Sequence, residues 1–243
     1  CGIIFKDPNF WLNQSEEKQR YGLHHNVIEN EGYVRYFDPL FEFLKQVEFE
    51  KKYLQPRILD YGCGPTPVLS QLMQNNLIHF NENTDPLNYN KSDNSDNSDN
   101  SRDAKNTNLQ QSKVSTQKAQ QSVEFFDPFF FPETLIKAKT NNAKYTLITM
   151  TEVIEHCYEP QVVITEVTEL LDKNGLWFVQ TRLWSDVKNF SNWWYVRDPT
   201  HVIFYSEKTL SWICQKYHLT LLKTDHERSF LFQKNESPND LQN

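Results

Sequence analysis

The chain has 243 residues, with 25 Lys and Arg against 32 Asp and Glu, and a formal net charge of −7. This acidic balance argues against general nucleic-acid affinity, because binding to phosphate requires an excess of basic side chains. No stretch approaches 18 consecutive apolar residues, so the sequence predicts no membrane span. The four cysteines lie far apart, which favours a reducing cytoplasm over a disulfide framework and provides no cysteine set for a metal site. The sequence thus predicts a cytoplasmic protein without a bound metal.

Helical and strand patterns alternate along most of the chain. Ser15 is predicted to cap a helix that ends near His25, and Asp38-Pro39 to begin a second helix. The predicted strands are 57–61, 123–126, 145–150, 176–181, 219–222 and 229–233, with helices after residue 67, at 161–171 and at 206–217. This order predicts an α/β fold: a mainly parallel sheet with helices on both faces and antiparallel strands at the carboxyl end.

A glycine turn, Asp60-Tyr61-Gly62-Cys63-Gly64, follows the first predicted strand. Backbone amides at such a strand–turn–helix junction face an electron-rich ligand. The third glycine of the dinucleotide pattern G-x-G-x-x-G is replaced by Pro67, which favours S-adenosylmethionine (SAM) over a pyrophosphate-containing ligand. Asp60 suits a ligand with an ammonium group. The alternative is a glycine turn that only closes an ordinary βα unit.

Residues 81–122 have a different composition from the rest of the chain. Asn, Ser, Asp, Gln and Lys dominate, and Ser-Asp-Asn repeats three times between residues 92 and 100. Such a segment buries too little apolar surface to offset its ordering entropy. It is also far longer than an ordinary connection of ~2–6 residues. We therefore expect a disordered, low-complexity surface insertion.

Several motifs, taken in order, resemble the class I SAM-dependent methyltransferases. They are the glycine turn, Asp127-Pro128, the hexapeptide Thr151–His156 and a strand after Lys173-Asn174-Gly175. Residues 198–205 and 23–26 further resemble a subgroup that carries a zinc ribbon before the methyltransferase domain. The resemblance implies a Rossmann-like fold in three parts: a ribbon or linker remnant at 1–12, which includes Cys1-Gly2, a helical lid at 13–56, and a SAM-binding domain at 57–243 with the insertion at 81–122.

The resemblance also implies a cofactor site for SAM. Gly62 and Gly64 would allow its close approach, and Asp60 would lie near its methionine ammonium. Asp127, after the predicted strand 123–126, would accept hydrogen bonds from both ribose hydroxyls. Asp85, in a second Asp-Pro pair, is the rival for this role, and strand termination is the structural alternative for Asp127. Two further residues, Thr151 and Glu152, would border the sulfonium end of the ligand.

The acceptor side of the site is predicted in the aromatic segment 181–205. An aromatic cluster with a few charges suits a flat, small-molecule acceptor, with an acidic group bound by an arginine. His201 is the first candidate for a general base, oriented or made more basic by Asp198, and His156 is the second. Both histidines have a structural alternative, which is to fix loops through hydrogen bonds.

Three functions are compatible with these residues. The first is a methyltransferase that acts on an unidentified small molecule. The second is a methyltransferase-like domain that binds SAM or a partner protein without turnover. The third, a nicotinamide or flavin oxidoreductase, is disfavoured by Pro67 and by the lack of a catalytic dyad. The intact set Asp60, Gly62 and Gly64 favours the first.

We expect residues 81–122 to be dispensable for folding. Replacing most of them by a short Gly/Ser linker should change the melting temperature by only a few degrees, because the cost of loop closure rises slowly with length. SAM binding, measured by calorimetry, should also be unchanged. A large loss of either property would mean that the segment packs onto the domain.

Overall fold

The computed structural model describes residues 1–24, 26–80, 122–185 and 187–236. Except for Ser122, the predicted insertion lies outside these residues. The strands are β1 (Ile4–Phe5), β2 (Arg57–Tyr61), β3 (Ser122–Phe126), β4 (Tyr145–Thr151), β5 (Leu171–Gln180), β6 (Ile203–Phe204), β7 (Leu219–Thr224) and β8 (Ser229–Lys234). The α-helices are α1 (Gln14–Tyr21), α2 (Glu31–Arg35), α3 (Asp38–Gln46), α4 (Phe49–Lys52), α5 (Val68–Phe80), α6 (Glu133–Thr140), α7 (Pro160–Leu170) and α8 (Glu207–Tyr217).

Six of the strands form one sheet in the order β3-β2-β4-β5-β8-β7. β2 pairs in parallel with β3 and with β4, and β4 pairs in parallel with β5. β8 joins β5 and β7 by antiparallel pairing. The prediction of a mainly parallel α/β sheet with antiparallel strands at the carboxyl end is confirmed.

Helices cover both faces of this sheet. Successive strand side chains point to opposite faces. Ile148 accordingly belongs to a core cluster that includes residues of α7 and α8, whereas its neighbour Leu147 belongs to a second cluster with residues of α3 and α5. Both side chains are fully buried. The central strands are therefore apolar on both faces, as expected for a covered parallel sheet.

Helix α1 begins and ends elsewhere than predicted. Asn13, not Ser15, is its N-cap: the Asn13 side chain accepts hydrogen bonds from the Ser15 and Glu16 amides, and Glu16 accepts one from the Asn13 amide. This reciprocal capping box satisfies two otherwise unpaired donors. The helix ends at Tyr21 rather than near His25, which lies outside the described residues.

Two other predicted boundaries show how the chain enters and leaves its helices. Ser206 caps α8 as predicted, through a hydrogen bond from the Thr209 amide. Asp38 lies in the first turn of α3 rather than at the cap, which is Phe37. There its carboxylate faces the positive end of the helix dipole instead of an amide.

The turn predicted at 173–175 lies inside β5. Tyr145 pairs with Leu171 and Leu147 pairs with Leu176, so residues 172–175 leave the ladder between these two pairs. Asn174 has φ 58°, the left-handed conformation that Asn tolerates better than most residues. The turn therefore forms a bulge in β5.

Residues 1–12 pack on the sheet-containing part of the chain. β1 pairs with β6, and the Trp184 indole donates a hydrogen bond to the Gly2 carbonyl at 2.9 Å. Trp11 packs against Tyr158 with ring centroids 4.8 Å apart and ring planes tilted by 56°. The zinc-ribbon relationship of this segment stays a prediction. In the described part of the chain, no helix combines the length and apolar composition that crossing a bilayer requires.

Candidate functional site

The predicted cofactor residues meet at one edge of the sheet. β2 pairs with both β3 and β4, so the carboxyl ends of these three strands are neighbours. Asp60 lies near the end of β2, Asp127 directly follows β3, and Thr151 ends β4. The carboxylate of Asp127 accepts a hydrogen bond from the Gly64 amide at 3.0 Å, which ties the glycine turn to the next strand.

The two glycines of the turn have different roles. Both have positive φ, 81° at Gly62 and 68° at Gly64. A Cβ added at Gly62 would lie 2.6 Å from Cγ2 of Val153, so this glycine makes room for a neighbouring side chain. A Cβ added at Gly64 would meet nothing within 4 Å. Gly64, rather than Gly62, therefore faces open space in which a ligand would fit.

Asp60 is buried and doubly hydrogen-bonded. Its carboxylate accepts hydrogen bonds from Ser70 Oγ at 3.0 Å and from Thr149 Oγ1 at 3.2 Å, which links the first turn of α5 to β4. Burial raises the pKa of Asp60 to about 6, and the two hydroxyl donors only partly oppose this rise. An approaching ammonium group would compensate the buried charge.

Asp127 is held by backbone amides. In addition to the Gly64 amide, the amides of Phe129 and Phe130 donate to its Oδ1 at 2.8 and 3.2 Å. Burial raises its pKa despite these donors. Each carboxylate oxygen has two lone pairs, so Oδ2 can accept one more hydrogen bond. The rival residue Asp85 lies outside the described residues.

Thr151 and Glu152 have properties of a strained, ligand-facing turn. The hydroxyl oxygen of Thr151 is buried and has no hydrogen-bond partner among the described residues. Glu152 has φ 51°, which costs free energy in a residue other than glycine and is typical of functional sites. Its Oε1 accepts a hydrogen bond from the Tyr36 hydroxyl, and its Oε2 accepts one from Tyr195 at 3.0 Å.

A second carboxylate, Glu155, lies beside Glu152 and is completely buried. Its Oε1 accepts a hydrogen bond from the Tyr195 hydroxyl at 2.5 Å. Burial and the neighbouring Glu152 raise the pKa of Glu155 well above its usual value. From the sequence, Tyr195 was predicted only as part of the aromatic acceptor segment, and no role was predicted for Glu155 or Tyr36. Two acidic residues three positions apart, directly after a strand, were the available signal.

His156 and His201, the two candidates for a general base, lie together. Their ring centroids are 4.7 Å apart. His156 Nδ1 donates to the Thr200 carbonyl at 3.0 Å, and His201 Nδ1 donates to the Tyr195 carbonyl at 2.8 Å. Burial lowers the pKa of His156 to about 3 and also lowers that of His201. Both imidazoles are therefore neutral at pH 7.

Asp198 does not orient the His201 ring as expected. Its carboxylate accepts hydrogen bonds from Thr200 and from Arg20, the latter at 3.0 Å, while the Tyr195 carbonyl orients the imidazole. Burial alone would raise the pKa of Asp198, but these donors hold it below its usual value. The charge of Asp198 raises the pKa of His201 less than burial lowers it.

The amino-terminal segment covers this edge of the sheet. Tyr21 of α1 contacts the His156 ring edge-on, with centroids 5.5 Å apart. Tyr36, just after α2, reaches Glu152 as described above. A groove between β3 and α6, lined by Arg57, Val123 and Lys137 among others, holds none of the predicted site residues. The candidate site residues thus gather at the covered edge and not in that groove.

Comparisons with known proteins agree with this architecture. A family model described as a methyltransferase domain matches residues 30–224. Comparison with curated protein sequences gives no match. Among solved structures, an O-methyltransferase family protein from Burkholderia thailandensis is similar, with a TM-score of 0.52 and 11% identity over 91% of this chain. The match covers 63% of that protein, so this chain spans less than two thirds of its length.

A second solved structure is the magnesium protoporphyrin IX methyltransferase of Synechocystis PCC 6803, with bound SAM. It has a TM-score of 0.43 and 11% identity, and the match covers 93% of this chain and 94% of that one. At these identities, the likeness to the Burkholderia protein supports the fold alone.

We predict that Asp60→Asn stabilises the protein at neutral pH. A native pKa of about 6 against an ordinary value of 3.8 costs about 3 kcal/mol of unfolding free energy, fully present above pH 6 and absent below pH 4. The amide keeps partners because the Ser70 and Thr149 hydroxyls can either donate or accept. Thermal denaturation should show a variant several degrees more stable at pH 8 and equal to wild type at pH 4. A variant less stable at pH 8 would contradict the buried charge.

Proposed function

Because the chain belongs to the methyltransferase domain family, we propose that it transfers a methyl group from SAM to a small-molecule acceptor. The family uses SAM, so the cofactor predicted from the glycine turn is confirmed. The observation that carries the proposal is the open space at Gly64, which the Asp127 carboxylate borders. The Thr151 hydroxyl, which has no hydrogen-bond partner among the described residues, lies at the same edge of the sheet. A ligand with hydroxyl and ammonium groups would satisfy these polar atoms.

Each of these residues has one task in binding the cofactor. The free lone pair of Asp127 Oδ2 would accept a hydrogen bond from the ribose hydroxyls. The buried carboxylate of Asp60 would compensate the positive charge of the methionine ammonium group, either directly or through a water molecule. Thr151 and Glu152 would border the sulfonium end, where the carboxylate of Glu152 complements the positive charge.

SAM supplies a methyl group on an activated sulfonium, so the protein needs chiefly to align the acceptor and to exclude water. A base is required only when the acceptor atom retains its proton. His201 and His156 are proposed for the acceptor side. Because Nδ1 of each donates to a carbonyl, the lone pair of each neutral ring is on Nε2 and is available to bind a proton.

The surface next to Glu152 suits a planar acceptor with an acidic group. Trp194 is 60% exposed, and the Arg182 guanidinium lies 5.3 Å from its ring centroid. A second guanidinium, that of Arg228, lies 4.2 Å from the Tyr36 ring centroid. Aromatic faces bind flat molecules, and guanidinium groups bind carboxylates or phosphates. Arg182 already pairs with the exposed carboxylate of Glu227, at 3.1 Å. Trp184 and Trp193, by contrast, pack on Phe190 as part of the loop structure.

Two further points concern the cellular compartment and the alternative function. Cys1, Cys63, Cys157 and Cys214 are all unpaired, which supports a reducing compartment such as the cytoplasm. A domain that binds SAM without turnover is the remaining alternative. The intact cofactor set, together with two lone-pair nitrogens on the acceptor side, favours an active enzyme.

We expect calorimetry to detect SAM binding and no comparable binding of NAD. Gly64→Ala should weaken SAM binding by about tenfold or more, because its methyl group enters the open space of the turn. Gly22→Ala is the matched control: Gly22 has φ −64°, and its added Cβ would have ordinary contacts of 3.4 Å or longer. The melting temperature of Gly64→Ala shows whether backbone strain has destabilised the variant, and so whether weaker SAM binding reflects the site itself. Unchanged SAM affinity in the folded Gly64→Ala protein would reject the site.

We further propose that residues 13–56 act as a lid, and predict that SAM binding protects part of it from hydrogen exchange. Residues 15–24 and the Tyr36 region should gain protection, because Tyr21 and Tyr36 contact His156 and Glu152 at the site. Helix α6, outside the site, provides the internal control and should exchange equally with and without SAM. If residues 15–24 and the Tyr36 region exchange identically with and without SAM, the lid is rejected.

A further inference from the structure

Three metal-binding side chains gather where the turn after β4 meets the loop before β6. Glu155 and His156 are adjacent in a short 3-10 turn, Ile154–His156, and His201 comes from the loop that ends at β6. One potential ligand atom from each residue lies within 4.8 Å of the other two. The loop is fixed to the turn by the hydrogen bond from the Val202 amide to the Glu155 carbonyl, at 2.9 Å. Backbone contacts therefore help to hold the three side chains together, in addition to the contact between the two imidazole rings.

Both imidazoles are oriented in the way that metal-binding histidines usually are. A carbonyl oxygen can only accept, so the contacts of His156 Nδ1 with Thr200 and of His201 Nδ1 with Tyr195 place a proton on each Nδ1. The remaining nitrogen, Nε2, then carries the lone pair in both neutral rings. Histidines that bind metals commonly donate their other N–H to a backbone carbonyl in this manner.

Among the described residues, Glu155 has no Lys or Arg partner for its buried carboxyl group. Its side chain is completely buried, and Oε2 has no hydrogen-bond partner among the described residues. The ion-pair contact found for it in the described part of the chain is with His156 Nε2, at 3.9 Å. The Tyr195 hydroxyl, which has one proton, lies between Glu155 and Glu152 and cannot donate to both at once. A cation at Glu155 would resolve this arrangement.

We propose that Glu155, His156 and His201 bind one divalent transition-metal ion. Two imidazole nitrogens and one carboxylate suit Mn²⁺, Fe²⁺, Co²⁺, Ni²⁺ or Zn²⁺, whereas Mg²⁺ and Ca²⁺ prefer oxygen ligands alone. At ligand distances of about 2.0–2.2 Å, the donor atoms of a loaded site are separated by about 3–3.5 Å. The present donor atoms, which lie within 4.8 Å of one another, therefore need to approach each other by up to about 1.3–1.8 Å when the ion binds. The sequence analysis predicted no metal, because the cysteines alone offered no ligand set.

Three protein ligands leave coordination positions open for water or a substrate. Resting on the proposed function, we assign one open position to an oxygen atom of the methyl acceptor. A bound cation would lower the pKa of a coordinated hydroxyl and orient it, so that the hydroxyl would lose its proton to water and the oxygen would attack the methyl group as an anion. Because both Nε2 atoms would bind the ion, this role of the cation would replace proton transfer to His201 or His156. In this step a bond forms between that oxygen and the methyl carbon, the carbon–sulfur bond of SAM breaks, and its electron pair stays on sulfur.

The first experiment measures metal content without SAM. The full chain is treated with a chelator, incubated separately with Zn²⁺, Mn²⁺ or Co²⁺, desalted and analysed by mass spectrometry of the elements. We expect one ion per chain for at least one of these metals. Glu155→Gln and His201→Gln should each reduce the retained metal at least tenfold. No retained ion with any of the three metals, or retention unchanged in both variants, would overturn the proposal.

His218→Asn is the matched control, because it removes an exposed imidazole from the C-cap of α8, where φ is 54° and Asn is well tolerated. It should retain the ion. Glu155→Gln has the same shape as the wild type and can still accept from Tyr195, and it removes a buried charge, so its metal-free melting temperature should equal or exceed that of the wild type. X-ray absorption of the loaded wild type is independent of any variant. It should show two imidazole ligands, and a sulfur ligand would place the ion on a cysteine and overturn the assignment.

Metal binding and SAM binding can fail separately. Calorimetry of SAM with the metal-free protein tests the cofactor site alone, and we expect binding there. Once an acceptor is known, chelation and Glu155→Gln should both lower turnover at least tenfold, with SAM affinity unchanged. Suppose that metal binding has been demonstrated but the chelated protein still turns over fully. This result would refute the acceptor role of the ion and leave the proposed methyl transfer intact.

Discussion

The parallel pairing of β2 with β3 on one side and with β4 on the other is the constraint on which the site depends. Asp60 is opposite Phe125 in one ladder and opposite Thr149 in the other, so the register of all three strands is set at one level. A slip of one residue in β4 would turn the Thr149 hydroxyl away from Asp60 and exchange the two core faces. The hydrogen bond between them therefore belongs both to the fold and to the cofactor site.

The same edge concentrates groups that are costly in a folded protein. Asp60 and Glu155 are buried carboxyl groups with raised pKa values, and Glu152 has a left-handed backbone conformation. None of these features improves the packing of the core. Such unfavourable features persist in proteins where a bound ligand compensates them. A cation or an ammonium group does so because it stabilises the charged form of a carboxyl group. The clustering of three such costs within one turn of chain and its neighbouring strand is a physical argument for ligand binding there.

The sequence predicted the parts of the site that are local in the chain. Asp60 and Gly64 belong to one short strand–turn pattern, and the pairing of β3 with β2 agrees with the choice of the strand before Asp127. The sequence did not distinguish Gly62 from Gly64, because the difference is the distant side chain of Val153. It also placed His201 beside Asp198 as a more basic imidazole. Burial, which no spacing in the sequence reports, lowers its pKa instead.

Contacts between distant segments account for the residues that the sequence left without a role. Tyr36 and Glu152 are 116 positions apart, and the hydrogen bond between Arg20 and Asp198 spans 178 positions. Neither contact produces a periodic pattern or a motif. Lys6 donates a further hydrogen bond to the Asp198 carbonyl. Lys6 and Arg20 therefore both bind the loop that carries His201.

Some of these distant contacts come from outside the family match. Residues 30–224 match the methyltransferase domain and contain the glycine turn, Asp127, the end of β4 and Tyr36. Lys6, Arg20 and Tyr21 lie before that match, and they contact Asp198 and His156 on the proposed acceptor side. In the proposed enzyme, residues before the common domain would therefore shape the acceptor side. The specificity of this chain should be sought in these contacts more than in the proposed cofactor residues.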